Sequence, residues 1–142
     1  MQVKDIMSRD VVSVSPDETA AVAARMLGRG NIGSLPVCGE DRALRGVVTD
    51  RDIVLRCVAA ERDPDKTPVR EIMTSRVITV SPDDDAEQAA RLMAEEQVRR
   101  LPVAEGGRVV GMLALGDLSV RQSCRMEAAE SLTEISRGIR KK

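Results

Sequence analysis

VVSVSPDE occupies residues 11–18, and VITVSPDD occupies residues 77–84, 66 positions later. The same shift relates VKDIM at 3–7 to VREIM at 69–73, and SLPV at 34–37 to RLPV at 100–103. GVVTDRD at 46–52 then returns as GMLALGD at 111–117, with a shift of 65. A single residue has been lost between the proline and the glycine, where CGEDRALR is matched by AEGGRVV. Both stretches are polar and turn-rich, and a hairpin connection tolerates such a change in length. The chain is a duplication, and the repeat governs how the rest of it is read.

Each copy reads β-α-β-β-α. VVSV and VITV are β-branched runs and predict strands. Ser-Pro-Asp stops each strand and opens a helix, with proline suited to the first turn. Ala20, Ala23, Ala24 and Leu27 fall at i, i+3, i+4 and i+7, as do Ala86, Ala89, Ala90 and Met93. Small side chains on that stripe let the helix lie close to a sheet. SLPVC and RLPVA predict second strands; ALRGVVT and RVVGMLA predict third strands. Closing helices are expected over Ile53–Ala60 and from Leu118 to about Met126. The domain bounds that follow are 1–60 for the first repeat, 61–68 for a linker (ERDPDKTP), 69–126 for the second repeat and 127–142 for a helical tail. The fold class is α/β (α+β). One unit is too small to bury both faces of its sheet, so the repeats are expected to pack as a pseudo-twofold pair.

Composition narrows the function classes. The 142 residues are 42% hydrophobic and contain no Phe, Trp or Tyr, so the core is aliphatic. Base stacking on aromatic rings, the usual device for single-stranded nucleic acid, is absent. A net charge of −1 creates no field that recruits nucleic acid or membrane. The basic cluster Arg140-Lys141-Lys142 reads as a solvated tail. No histidine is present, which removes the commonest general base and metal ligand. Cys38, Cys57 and Cys124 lack CxxC spacing and sit among apolar residues, as reduced core thiols of a cytoplasmic protein do. The N-terminus is charged where a signal peptide is apolar, and no apolar run reaches membrane-spanning length.

Ile6-Met7 and Ile72-Met73, the V-S-P helix starts, the two LPV strands and the G-h-h-[ST]-x-x-[ND] motifs recur twice and in order. In this the chain resembles tandem cystathionine β-synthase (CBS) domains, the pair called a Bateman module, over residues 3 to about 124. It is similar to the small stand-alone bacterial members with no catalytic or transport domain. The resemblance implies an adenosine-containing ligand: AMP, ADP or ATP first, S-adenosylmethionine or NAD behind them. It implies that the motif aspartate holds ribose hydroxyls and the motif Ser or Thr faces phosphate. By position, Thr49 and Asp52 complete the first motif, whereas Ala114 replaces the hydroxyl beside Asp117. Arg99 and Arg100 stand where the first copy has Gly33 and Ser34. In such proteins a basic residue just before the LPV proline can reach phosphate, which would compensate for Ala114. Arg76 would face the Asp52 site from the second repeat. Val47 and Met112 would line adenine slots, with core packing as the ordinary alternative. The resemblance also implies a homodimer, a four-repeat disk.

Part of this chemistry stands on the residues alone. Thr49 ends a strand and Asp52 falls in the first turn of a helix, where free N–H groups attract phosphate. A carboxylate there can accept two hydrogen bonds from a vicinal diol, and Arg51 can add charge. T-x-x-D is equally a capping box, Thr49 capping the helix and Asp52 reaching back. Asp117, kept without its box partner, favours work on a ligand, although the helix dipole also accounts for it. Three functions follow. The leading one is a regulatory sensor of an adenosine ligand. The alternative is a ligand-free interaction or dimerisation module acting through its helices and tail, with a protein partner the sequence does not name. An enzyme is disfavoured: no GxSxG, P-loop or metal-spaced cluster is present, so no catalytic cofactor and no metal site are expected.

Overall fold

The computed structural model describes residues 1–119 and Ile135. Expectations for Cys124, for the end of the second closing helix and for the rest of the 127–142 tail lie outside the described residues. The chain divides into two compact units: Val12–Val77, and Met1–Val11 together with the chain from Ile78 onward.

The unit Val12–Val77 contains α1 (Ala20–Gly30), β1 (Ser34–Cys38), β2 (Leu44–Thr49) and the short α2 (Asp50–Ile53), which widens into a π-turn over Val54–Val58. The other unit contains α3 (Ala86–Glu96), β3 (Arg100–Glu105), β4 (Arg108–Ala114) and α4 (Leu115–Ser119). In each, the two strands pair antiparallel. Leu35, Val37, Val48, Ile53, Cys57 and Ile72 form one core. Met93, Leu101, Val103, Leu113 and Leu118 form the other, with Ile135 packed against it. These are mixed helix-and-strand repeats, as the pattern predicts, and no aromatic residue is needed to fill them.

Three expectations are corrected. VVSV and VITV are not full strands: each gives a single parallel bridge, Val14 to Val37 and Val80 to Val103. Proline follows two residues later and cannot extend the ladder. The helices open at Ala20 and Ala86 rather than at Ser-Pro-Asp, with Thr19 and Asp85 as the caps. Ala24 is exposed although its counterpart Ala90 is fully buried.

The compact units are not the sequence repeats. Val3 N donates to Asp84 O at 2.8 Å and Lys4 N to Pro82 O at 2.9 Å. Sixty-six residues on, Val69 N donates to Glu18 O at 2.8 Å and Arg70 N to Pro16 O at 2.9 Å. Each lead-in thus packs against the helix start of the other copy, and Val3 and Val69 are both wholly buried there. Residues 61–68, expected as a linker, belong to the first unit. Thr67 O accepts from Ala20 N, Pro64 O accepts from Ala21 N, and Thr67 is buried. The missing residue is a hairpin difference: Gly106-Gly107, both at positive φ, join β3 to β4, where Gly39–Ala43 join β1 to β2.

Candidate functional site

The motif glycine has a steric reason. A Cβ on Gly46 would lie 2.7 Å from Thr74 O and 2.9 Å from Met73 Sδ; one on Gly111 would lie 2.7 Å from Met7 Sδ and 2.9 Å from Ser8 O. The lead-in Ile-Met segments run over these glycines. Thr74 and Val47 exchange both backbone hydrogen bonds, at 2.8 and 2.9 Å, and Ser8 and Met112 do the same. Only glycine allows that approach.

Beyond Gly46, β2 delivers Thr49 to the start of α2. Thr49 Oγ1 accepts from Asp52 N at 3.0 Å, and Thr49 N donates to Asp52 Oδ2 at 3.0 Å. The capping box is therefore present in full. Asp52 is 8% exposed, one of the few buried polar residues described. Among the described residues its other oxygen, Oδ1, has only an ion pair with Arg56 Nη1, at 3.8 Å. Arg51 is exposed on the same turn, and Val47 is half-buried, opposite Pro36. Arg76, expected to face Asp52 from the start of the second repeat, lies in the same compact unit as Asp52, exposed, two residues past Thr74. The bridge at Thr74 is antiparallel, so the chain leaving it heads toward the Arg45 end of β2, away from Thr49.

The second motif is built on the same frame. Ala114 N donates to Asp117 Oδ2 at 3.0 Å. Asp117 thus keeps half of the box, and its retention without a hydroxyl partner no longer separates ligand work from capping. Arg99 O accepts from Leu115 N at 2.8 Å, as Gly33 O accepts from Asp50 N at 3.0 Å. Arg99 carries its side chain exposed at the helix entrance. Arg100 pairs across the sheet with Ala114, and its Nε is buried without a hydrogen-bond partner among the described residues. Met112 is buried and reads as core.

Sequence reasoning missed Arg56, whose signal was its i+4 spacing from Asp52, repeated by Arg121 after Asp117. An open depression of about 350 Å³ lined by Thr79, Asp84, Gln88, Arg91 and Glu95 includes none of the motif residues. Cys38 and Cys57 are free and buried, and burial pushes the Cys38 thiol up against the opposing pull of Ser13 and Arg42. Among the described residues no group of three or more His, Cys, Asp or Glu could hold a metal ion, and no helix is long and apolar enough to cross a membrane.

The CBS domain profile matches residues 3–58 and 69–121. The chain belongs to the CBS-domain family. It is 43% identical over 134 residues to the CBS domain-containing protein YhcV of Bacillus subtilis, spanning 94% of each chain. It is similar to the crystal structure of Hypoxic Response Protein I with two coordinated zinc ions, at 35% identity and TM-score 0.78, over 85% of this chain and 98% of that one. It is also similar to the CBS domain pair of protein MJ0100, solved in complex with 5′-methylthioadenosine and S-adenosyl-L-methionine, at 31% identity and TM-score 0.72, over 84% and 98%. The relatives that match along their whole length are stand-alone CBS proteins, and the pair is a regulatory module rather than an enzyme.

Proposed function

We propose that this CBS pair senses an adenosine-containing ligand, with AMP, ADP or ATP ahead of S-adenosylmethionine or NAD. The observation that carries the reading is Asp52: a buried carboxylate with one oxygen committed to Thr49 N–H and the other holding no hydrogen bond among the described residues. A ribose hydroxyl is the kind of donor Oδ1 lacks. The adenosine ligands of the MJ0100 pair support the class. Arg51 is an exposed cation on the same turn, and Arg99 and Arg100 serve phosphate at the second motif. The protein works as a homodimer in this reading. Val54, Leu55 and Val58 are 54%, 48% and 60% exposed on one short helical stretch, an apolar face that a second copy would cover. The free thiols fit a reducing compartment such as the cytoplasm.

A thermal-shift and calorimetric titration with AMP, ADP, ATP, NAD and S-adenosylmethionine tests the ligand reading. At least one should raise the melting temperature and bind with a stoichiometry of one or two per chain. The complete capping box and the same apolar face favour the second reading, a ligand-free interaction module; a flat response to every ligand would establish it over the first. Light scattering with Leu55→Lys tests the dimer, which should fall to a 15.4 kDa species.

A further inference from the structure

Arg56 stands one turn beyond Asp52, inside the stretch where the helix widens to a π-turn. Its Nη1 is 3.8 Å from Asp52 Oδ1 and donates to Ile72 O at 3.2 Å and Met73 O at 3.1 Å. One guanidinium nitrogen therefore faces the motif carboxylate and bonds the two carbonyls that follow the Val69–Glu71 turn. Ile72 is wholly buried, and Met73 packs against the same core. The next residue, Thr74, is hydrogen-bonded to Val47 in β2. Besides its anchor on Glu18 and Pro16, the lead-in segment is thus held by Val47 at its end and by Arg56 just before it. A π-widening at this place fits a functional reason, since it sets where residue 56 sits relative to residue 52.

We propose that Arg56 is the positioning residue of the Asp52 site and transmits its occupancy to Ile72–Thr74. The proposal rests on the adenosine-ligand reading. Thr49 N–H fixes Oδ2, and Arg56 fixes the side from which Oδ1 is approached. A hydroxyl donating to Oδ1 draws on the same oxygen that Arg56 faces. Arg56 then redistributes its hold between the carboxylate and the two carbonyls, and the lead-in segment responds. Both N–H groups of Nη1 go to the two carbonyls, and the carboxylate is met by charge. Lysine's ammonium, a point charge on a different stem, does not reproduce that fixed planar geometry, so charge alone does not perform this role.

Calorimetry with AMP, ADP and ATP on the full chain, wild type and Arg56→Gln and Arg56→Lys, is combined with hydrogen exchange of peptides covering 69–77, free and saturated with nucleotide. Arg56→Gln should bind about two- to fivefold more weakly, as loss of a half-exposed ion pair gives. Its exchange over 69–77 should no longer change on saturation, although the wild type's does. Arg56→Lys should not restore that change. Wild-type affinity with a wild-type exchange response in Arg56→Gln overturns the proposal, as does full rescue by lysine, or a wild type that binds without any change at 69–77. A wild type that binds none of the three nucleotides overturns the ligand reading itself, a result plainly separate from a bound nucleotide to which Arg56 is indifferent.

Discussion

The two copies share a frame, and at one cross-strand pair they exchange chemistry as well as size. In the first, Ser34 faces Thr49; in the second, Arg100 faces Ala114. Around that pair the equivalent bonds survive: aspartate to the backbone N–H three residues before it, and the helix's first N–H to the residue before the LPV strand. The frame tolerates exchange of a hydroxyl for a methyl and of a serine for an arginine because neither group carries the fold. What changes is the chemistry offered to a ligand. The first copy presents an oxygen-rich, capped turn, and the second presents a guanidinium beside a half-capped one.

The largest expected effect lies in the lead-in segments, where the copies look alike in sequence but not in burial. Ile72 is wholly buried, and its counterpart Ile6 is only partly so. Ile72→Ala should cost about 2–5 kcal/mol, from lost transfer energy and the cavity left behind. Ile6→Ala should cost clearly less, because less surface is withdrawn from water there. Denaturant unfolding of both variants measures the difference. Equal losses would show that the two lead-ins are energetically interchangeable and that the exchanged packing is symmetric in strength as well as in place.

Next in size is the effect on binding. Asp52→Asn keeps the shape and weakens acceptance from a ribose hydroxyl, so affinity for a phosphorylated adenosine should fall on the order of tenfold. Asp117→Asn should cost less if the first motif is the dominant site. Calorimetry on both decides it. Equal losses would remove the asymmetry, and a larger loss from Asp117→Asn would mean that Arg99 or Arg100 makes the second motif the better phosphate site. A lower melting temperature in Asp52→Asn with unchanged binding would return that residue to capping alone.

The repeat was legible because the same hydrogen bonds recur 66 residues apart, and each needs the same residue types to form. Val3 and Val69, Pro16 and Pro82, and Leu35 and Leu101 are visible as equivalents from the sequence alone. That the lead-ins are exchanged between copies was not legible. A shift of 66 describes both a lead-in packed on its own copy and one packed on the other, and only the contacts of Val3 with Asp84 and Val69 with Glu18 distinguish them. At the candidate site, the spacing of Thr49 and Asp52 marks the capping box that forms there. Arg56 was not legible, because an arginine at i+4 on a helix is usually a solvated partner, and its bonds to Ile72 and Met73 join residues sixteen and seventeen positions apart. Where Arg76 sits, like the way the repeats divide into compact units, depends on which copy the lead-in joins.

The smallest effect tests whether the missing hydroxyl is a lost cap or a lost ligand contact. Thr49 Oγ1 accepts from Asp52 N, while Asp117 N has no threonine to serve it. Ala114→Thr should supply that acceptor and stabilise the protein by about 1 kcal/mol, the usual worth of a side-chain cap. Thr49→Ala should lose a similar amount. The obstacle is Arg100, which lies across the strand pair from residue 114 with its Nε already buried. If its stem fills the space a threonine needs, the cap will not form and stability will be flat or lower. Melting curves and nucleotide titration on the same variant separate the outcomes. A gain in stability with unchanged affinity makes Ala114 a missing cap and nothing more. A gain in affinity makes the hydroxyl a ligand group that the second copy has lost. Stability that falls, and recovers when Arg100→Ser is added, would show that the second copy exchanged its hydroxyl for the arginine at one shared position in the sheet.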